Sequence, residues 1–357
     1  MNRSVQRILL LLPLLFAMLA VNWFVDPAHL RAPDAYERSV AKMLAQGKAV
    51  TNVVNDDASA ILEYHILTQT SAPDVLLLGT SKSKGVNSEF FPGQTFFNAA
   101  LSGSGMGDLV VIYEMYESRG LVPGEVILEL NPWLLSAGRT SQVPRFETRR
   151  AELEWKLLRG GAPARPSQVK RTRFSQTVYA RMVTPDYFQS SLLNLWSASI
   201  HGGAPREYHA GDPIHGLTYF PDGSILVRPD MIANLGSEIP EAYALKYAWD
   251  PPGGIPLQID PLQRKILESF LAHLLESGTK VTLYLPPYHP TSYELMMNAP
   301  SRFVTEIQQY FVDLAQTNGL TVIGSFDPHD LGVTNADFYD PTHISTEAVL
   351  RIFEGGR

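Results

Sequence analysis

Ser81, Asp340 and His343 are the residues whose types and spacing could do covalent chemistry. Ser81 stands just past a short apolar run that opens at Asp74 and closes at Gly79-Thr80. Asp340 precedes His343 by three residues, in Asp340-Pro341-Thr342-His343. A serine hydroxyl attacks an ester only when a base takes its proton, and an imidazole base works best when a carboxylate holds it. Brought together, the three would form a centre for acyl transfer through serine. Kept apart, each has a plainer role. Ser81 would cap the next helix, and Asp340 would open the last one beside an unrelated histidine.

The elements on either side decide whether such residues can meet. The all-apolar run 75–78 reads as a short strand buried on both faces, and 95–100 and 125–130 read as a second and a third strand with a helix pattern over 108–118 between them. The same rhythm resumes after residue 261, with helix 262–276, strand 280–285, helix 301–316, strand 320–323 and a last helix over 346–353. Strands that alternate with helices imply a parallel sheet with crossover helices. The expected fold class is therefore α/β, a three-layer doubly wound parallel sheet. In such a sheet, ligands bind beyond the carboxyl ends of the strands. Ser81, Gly103, Asn131, His289 and His343 would all project toward that one rim.

The intervening residues break this rhythm. The middle, 133–258, reads as a mostly helical insertion or cap. It carries a basic helical stretch over 145–159, a Pro/Arg/Ser linker over 160–173 and a second helical stretch over 176–198. A β-hairpin over 217–227 turns at Asp222-Gly223. Residues 28–71 read as a helical connector. The α/β halves then fall at 72–132 and 259–357.

Further residues could complete a site. A tetrahedral intermediate needs N–H donors aimed at its oxyanion. Gly103, in Asn98-Ala99-Ala100-Leu101-Ser102-Gly103, can bring its backbone close, and Asn131 could add a side-chain donor. His289, Tyr288 and Trp133 are candidates for substrate contact. A competing motif, Gly103-x-Gly105-x-Gly107 with Glu129 further on, approaches a dinucleotide fingerprint, but its third glycine falls one position early. The segment from Gly79 to Gly85 lacks the Gly-Lys-Ser/Thr of a phosphate loop. His201, His209 and His215 lie near Asp212 at spacings that match no standard metal site. No metal and no cofactor is expected.

These pieces resemble the SGNH, or GDSL-like, hydrolase superfamily. Gly79-Thr80-Ser81 is similar to its Gly-Asp-Ser block, with Thr80 where the Asp would stand. Asn98 to Gly103 is similar to its second block, and Asp340-Pro341-Thr342-His343 to its closing Asp-x-x-His. Glu129-Leu130-Asn131-Pro132 falls where Gly-x-Asn-Asp is usual and departs from it. The resemblance covers about 74–131 and 280–353. It implies Ser81 as nucleophile, His343 as base, Asp340 as orienter, and Gly103 and Asn131 as oxyanion donors.

The amino terminus and composition narrow the setting. Arg3 and Arg7 precede an apolar run over 8–25 that is interrupted by Asn22 and carries Trp23 near its end. That pattern predicts an uncleaved membrane anchor with everything after Asp26 exported; a cleaved signal is the alternative. With this anchor, the resemblance extends to the membrane-bound branch similar to alginate O-acetylation and teichoic acid D-alanylation proteins. It implies a periplasmic or extracytoplasmic O-acyltransferase or esterase, and an anchored chain with a large insertion suits a polymer substrate, here expected to be an envelope or secreted polysaccharide. The implied partners are an acyl donor, a polysaccharide acceptor and a multi-span membrane acyltransferase. A non-catalytic glycan-binding or assembly protein on the same fold is the other reading. The net charge of −7 over 357 residues, with no run of basic residues, argues against a nucleic-acid partner. The absence of cysteine excludes disulfides and a thiolate nucleophile.

Overall fold

Short, mostly apolar runs become the central strands; Gly79 follows the one ending at Leu78 and Pro286 the one ending at Leu285. The computed structural model describes residues 3–137, 141–159, 180, 182–201, 204–214, 216–226, 233, 235–236, 258–298 and 303–356. Along the chain the helices are α1 (Arg3–Val25), α2 (Ala35–Ala45), α3 (Ala58–Thr68), α4 (Met106–Glu117), α5 (Glu147–Arg159), α6 (Pro185–His201), α7 (Pro261–Glu276), α8 (Pro290–Asn298), α9 (Phe303–Asn318) and α10 (Thr346–Gly355). The strands are β1 (Val50–Val53), β2 (Val75–Leu78), β3 (Phe96–Asn98), β4 (Glu125–Glu129), β5 (Arg206–Glu207), β6 (Leu217–Tyr219), β7 (Ile225–Leu226), β8 (Lys280–Leu285) and β9 (Thr321–Gly324).

The main sheet has the order β3-β2-β4-β8-β9, with every pair parallel. Counted among themselves, its strands run 2-1-3-4-5. That order is compatible with a doubly wound sheet, whose ligand crevice opens where the winding reverses, here between β2 and β4. Ser81 leaves β2 and Asn131 leaves β4, so both sit at that point. The sheet is buried on both faces. Val75 and Leu77 point into one apolar cluster with Ile127, Tyr284, Ile323 and the α10 residues Val349 and Phe353. Leu76 and Leu78 alternate to the opposite face and are equally buried.

Contacts divide the chain into two compact units, residues 1–65 with 166–218, and residues 66–165 with 219–357. The main sheet belongs to the second. In the first, β1 pairs antiparallel with β5, Val50 opposite Glu207. The expected helical connector thus contains a strand and shares a unit with part of the expected insertion. That strand is unremarkable in sequence because Thr51 and Asn52 are polar; both are buried, and Thr51 satisfies its hydroxyl on Thr218 at 2.7 Å.

The hairpin expected over 217–227 forms between β6 and β7, and Asp222 O accepts from Asn98 N at 2.7 Å. Helix α8 was not anticipated, since Pro286, Pro287 and Pro290 read as a loop; Pro290 instead opens the helix, where its missing N–H costs nothing. Among the described residues no helix is long and apolar enough to cross a membrane, so the single span expected over residues 8–25 is not supported. The linker over 160–173, most of 227–257, His215 and the starts of the helices expected at 176 and 301 lie outside the described residues.

Gly223 gives a test of how the hairpin seats on the sheet. Its φ is +82°, and a Cβ there would lie 2.1 Å from Asn98 O. Gly223→Ala should lower stability by about 1–3 kcal/mol, read as a fall in the urea midpoint at unchanged slope. An unchanged midpoint would mean that the hairpin tip is not held against β3.

Candidate active site

The backbone turns sharply as β2 ends. Gly79 has no room for a side chain: a Cβ would lie 2.6 Å from Glu129 Oε2. Residues Ser81–Ser83 then make one 3-10 turn, with Thr80 as its extended N-cap and Ser83 N bonded to Thr80 O at 3.3 Å. The capping position is therefore Thr80, and the Ser81 hydroxyl is left for another partner.

That partner is His343. Its Nε2 lies 3.0 Å from Ser81 Oγ, across 262 residues of chain. Its Nδ1 lies 2.7 Å from Asp340 Oδ2. The other oxygen, Asp340 Oδ1, accepts from His343 N at 2.9 Å, Thr342 N at 2.8 Å and the Thr342 hydroxyl at 3.0 Å. Spacing of three works here because the acid wraps its own loop, which a bond from Tyr339 N to His343 O closes at 2.9 Å. Burial alone would raise the Asp340 pKa. The bond and charge of His343 and the two backbone N–H groups outweigh it and hold the carboxyl at about 2. An ionised acceptor on Nδ1 requires a proton there, which leaves the Nε2 lone pair facing the serine. The histidine and aspartate side chains stay 30% and 23% exposed, so the site is open to a ligand.

A second carboxylate, which sequence reasoning assigned only to the dinucleotide alternative, supports the turn. Glu129 at the end of β4 is fully buried. It accepts from Thr80 N at 2.8 Å, the Thr80 hydroxyl at 2.7 Å, the Ser83 hydroxyl and Asn131 Nδ2 at 2.9 Å. Asn131 thus spends its amide on Glu129, with a longer contact of 3.4 Å to the Thr80 hydroxyl. In this arrangement it braces the turn and does not aim a donor at the rim.

Lys82 was also not singled out. Its stem is half-buried, but its Nζ is shut off from solvent and has no hydrogen-bond partner. The ammonium lies 3.8 Å from the centre of the Tyr288 ring. Burial pushes its pKa down to about 8, against the upward pull of Glu129 and Asp340. Tyr288 is buried beneath it and is not offered to a substrate.

His289 is buried as well. Its Nδ1 accepts from Thr291 N at 3.2 Å, its ring meets Phe338 edge-on at 5.1 Å, and its Nε2 has no partner. Burial lowers its pKa, with Asp340 pulling the other way, so it is a neutral ring behind the site.

Gly103 takes φ +74° beside Gln142, whose N bonds Gly103 O at 2.9 Å. Its segment folds over the nucleophile turn, since Leu101 N and the Ser104 hydroxyl both donate to Gly79 O, at 3.0 and 3.1 Å. Asn98 holds that turn from below by donating to Ser83 O and Val86 O. Trp133 is half-buried and lines a cleft of about 160 Å³ with Ser104, Gly105, Arg150 and Glu154. Gly105 and Gly107, the alternative fingerprint, serve the first turn of α4, where Gly105 N donates to Asp108. Among the described residues no cluster of His, Asp and Glu could hold a metal ion.

Two variants probe these supports. Glu129→Gln puts an amide N–H where donors already converge, and should cost about 2–3 kcal/mol in urea unfolding; wild-type stability would mean that the carboxylate does not hold the turn. Lys82 binds a proton more weakly folded than unfolded. Between pH of about 8 and 10.5 the unfolded chain therefore holds more protons, and this group makes stability rise with pH. Lys82→Met should remove that rise. An identical pH profile in both proteins would show that the amine is not buried as seen.

The chain matches no model of a known protein family and no curated protein, so its functional reading rests on this geometry.

Proposed function

We propose that the protein is a serine-dependent acyl-transfer enzyme that works on ester bonds of an envelope or secreted polysaccharide. The observation that carries this reading is the unbroken series Asp340, His343, Ser81, with contacts of 2.7 and 3.0 Å. Such a series is what an acyl-serine mechanism requires of its nucleophile, base and orienter.

His343 Nε2 takes the Ser81 proton as Oγ attacks the acyl carbonyl. Asp340 stabilises the imidazolium that results. The Ser81 and Gly103 amides are the proposed oxyanion donors. Asn131 joins them only if its amide leaves Glu129. The leaving alcohol takes the proton back from His343, and an acyl-serine remains. Water or a sugar hydroxyl then gives its proton to His343 and attacks the acyl-serine carbonyl; as the acyl–Oγ bond breaks, Ser81 Oγ leaves and takes that proton back from His343. The first outcome is hydrolysis and the second is transfer. The fold behind this reading is the SGNH type, a doubly wound sheet with the site at its switch point. The proposed setting is the outer face of the cytoplasmic membrane, suggested by Arg3 and Arg7 ahead of an apolar segment. A multi-span acyltransferase is the partner this setting calls for.

The non-catalytic alternative draws on two departures from the family blocks, Thr80 in place of the usual Asp and Pro132 after Asn131; Pro132 opens a 3-10 turn, Pro132–Leu135. The structure gives Thr80 another use, as a donor to Glu129, so that departure no longer favours it.

An active-site-directed fluorophosphonate and a small acetyl ester test the proposal. Wild-type protein should label at Ser81 and form an acyl-enzyme, while Ser81→Ala should lower ester turnover by about 10⁴-fold or more. Equal labelling of the two proteins would remove Ser81 from the chemistry.

A further inference from the structure

The pair of helices α1 and α6 has its polarity inverted. Asn22 of α1 is fully buried and donates to Met182 O at 2.7 Å, and its carbonyl accepts from the buried Ser191 hydroxyl of α6 at 3.0 Å. Asp26, just past α1, accepts from the Tyr187 hydroxyl at 2.6 Å. As α1 steps back from Asp26 to Asn22, α6 advances from Tyr187 to Ser191, so the helices run antiparallel.

The polar groups at these contacts face inward. Leu14 (67% exposed), Phe16 (66%) and Phe24 (78%) of α1 point outward, as do Leu193 (57%), Trp196 (67%) and Ile200 (56%) of α6. The α6 sequence from Phe188 to Ile200 contains no charged residue. In water this arrangement is unfavourable twice, because polar groups are withdrawn from solvent while large apolar ones face it. In hydrocarbon it is the expected one, since acyl chains tolerate apolar side chains and polar groups must find partners within the protein.

We infer that α6 is a second lipid-contacting element, which seats in a bilayer together with α1 through their common apolar outer face. The occupant is lipid because α6 shares its polar contacts with α1, the segment flanked by Arg3 and Arg7 and ending in Trp23-Phe24, a membrane-interface pattern. At about 1.5 Å per residue, α6 is about 25 Å long, short of the ~30 Å hydrocarbon core. It therefore enters one side of the bilayer and does not cross. The inference takes from the proposed setting only that α1 meets a membrane, and needs none of the Ser81 chemistry.

The chain is free of cysteine, so one introduced thiol gives one label. Full-length Trp196→Cys, carrying an environment-sensitive fluorophore, would be reconstituted into vesicles of phosphatidylethanolamine and phosphatidylglycerol. Glu89→Cys, on an exposed one-turn segment, is the reference. The label at 196 should shift to the blue and be quenched several-fold by spin-labelled lipid, with the label at 89 quenched only by aqueous iodide. Vesicle flotation is read in parallel. Flotation with a label at 196 as open to iodide as that at 89 would overturn the role of α6 while leaving α1 attached. Loss of flotation would overturn the membrane setting itself and the inference with it. A blue shift that needs no lipid and grows with protein concentration would assign the face to a second copy of this chain, and would equally overturn it.

Discussion

A buried carboxylate without a hydrogen-bonding cation is the constraint on which the site depends. Glu129 ends β4 at the switch point and is closed to solvent. Its charge is satisfied only because Thr80 N, the Thr80 and Ser83 hydroxyls and the Asn131 amide converge on it. The same contacts fix the turn after β2 at both ends of Ser81. The neighbours then have little freedom. Position 79 must be glycine, because any side chain would strike the carboxylate. Position 80 must donate, because an acid there would set two carboxylates against each other. The Gly-Thr-Ser of this chain, read beside the Gly-Asp-Ser of the superfamily it resembles, is thus a consequence of Glu129.

Lys82 completes the electrostatics without touching either acid. Its amine lies over Tyr288, closed to water, and is drawn toward its charged form by Glu129 and Asp340. A direct ion pair with Glu129 would compete with the hydrogen bonds that hold the turn. A direct pair with Asp340 would compete with His343. An aromatic face accepts the cation while leaving both carboxylates to their own donors. The arrangement accounts for a lysine that lies beside Ser81 without bonding to it: His343 already holds that place at 3.0 Å.

Much of this was legible in the residues, and the gaps have physical causes. The runs 75–78 and 280–285 declare buried strands, the first by unbroken aliphatic character and the second by Val281, Leu283, Tyr284 and Leu285 between Gly278 and Pro286. Asp340-x-x-His343 was legible because an acid can fold its own loop around the base. Glu129 and Lys82 were not, since charged residues are usually solvated and only tertiary contacts reveal four donors or an aromatic ring around them. Strand β1 was hidden for a related reason: Thr51 and Asn52 are buried by partners more than 150 residues away, Thr218 and Ala204 O. Asn131 has a contact of the same hidden kind: its place at a strand end suggests a donor to substrate, and in the structure its amide donates to Glu129.

Glu129 and Asn22 follow one rule. A polar group removed from water must be met by protein donors or acceptors, whether the surrounding material is a protein core or lipid. In the sheet the rule fixes a turn and leaves one hydroxyl, that of Ser81, facing a base. In the α1–α6 pair it directs Asn22 and Ser191 toward each other and leaves leucine, phenylalanine and tryptophan outward. The exposed apolar face is then the by-product of satisfying the polar interior, which is the reverse of how an amphipathic helix of a water-soluble protein is built. That reversal is why the apolar run over 8–25 alone understates the face we propose for lipid: in that proposal its other part lies in α6, a stretch too short and too rich in serine to stand out until Asn22 supplies its partner.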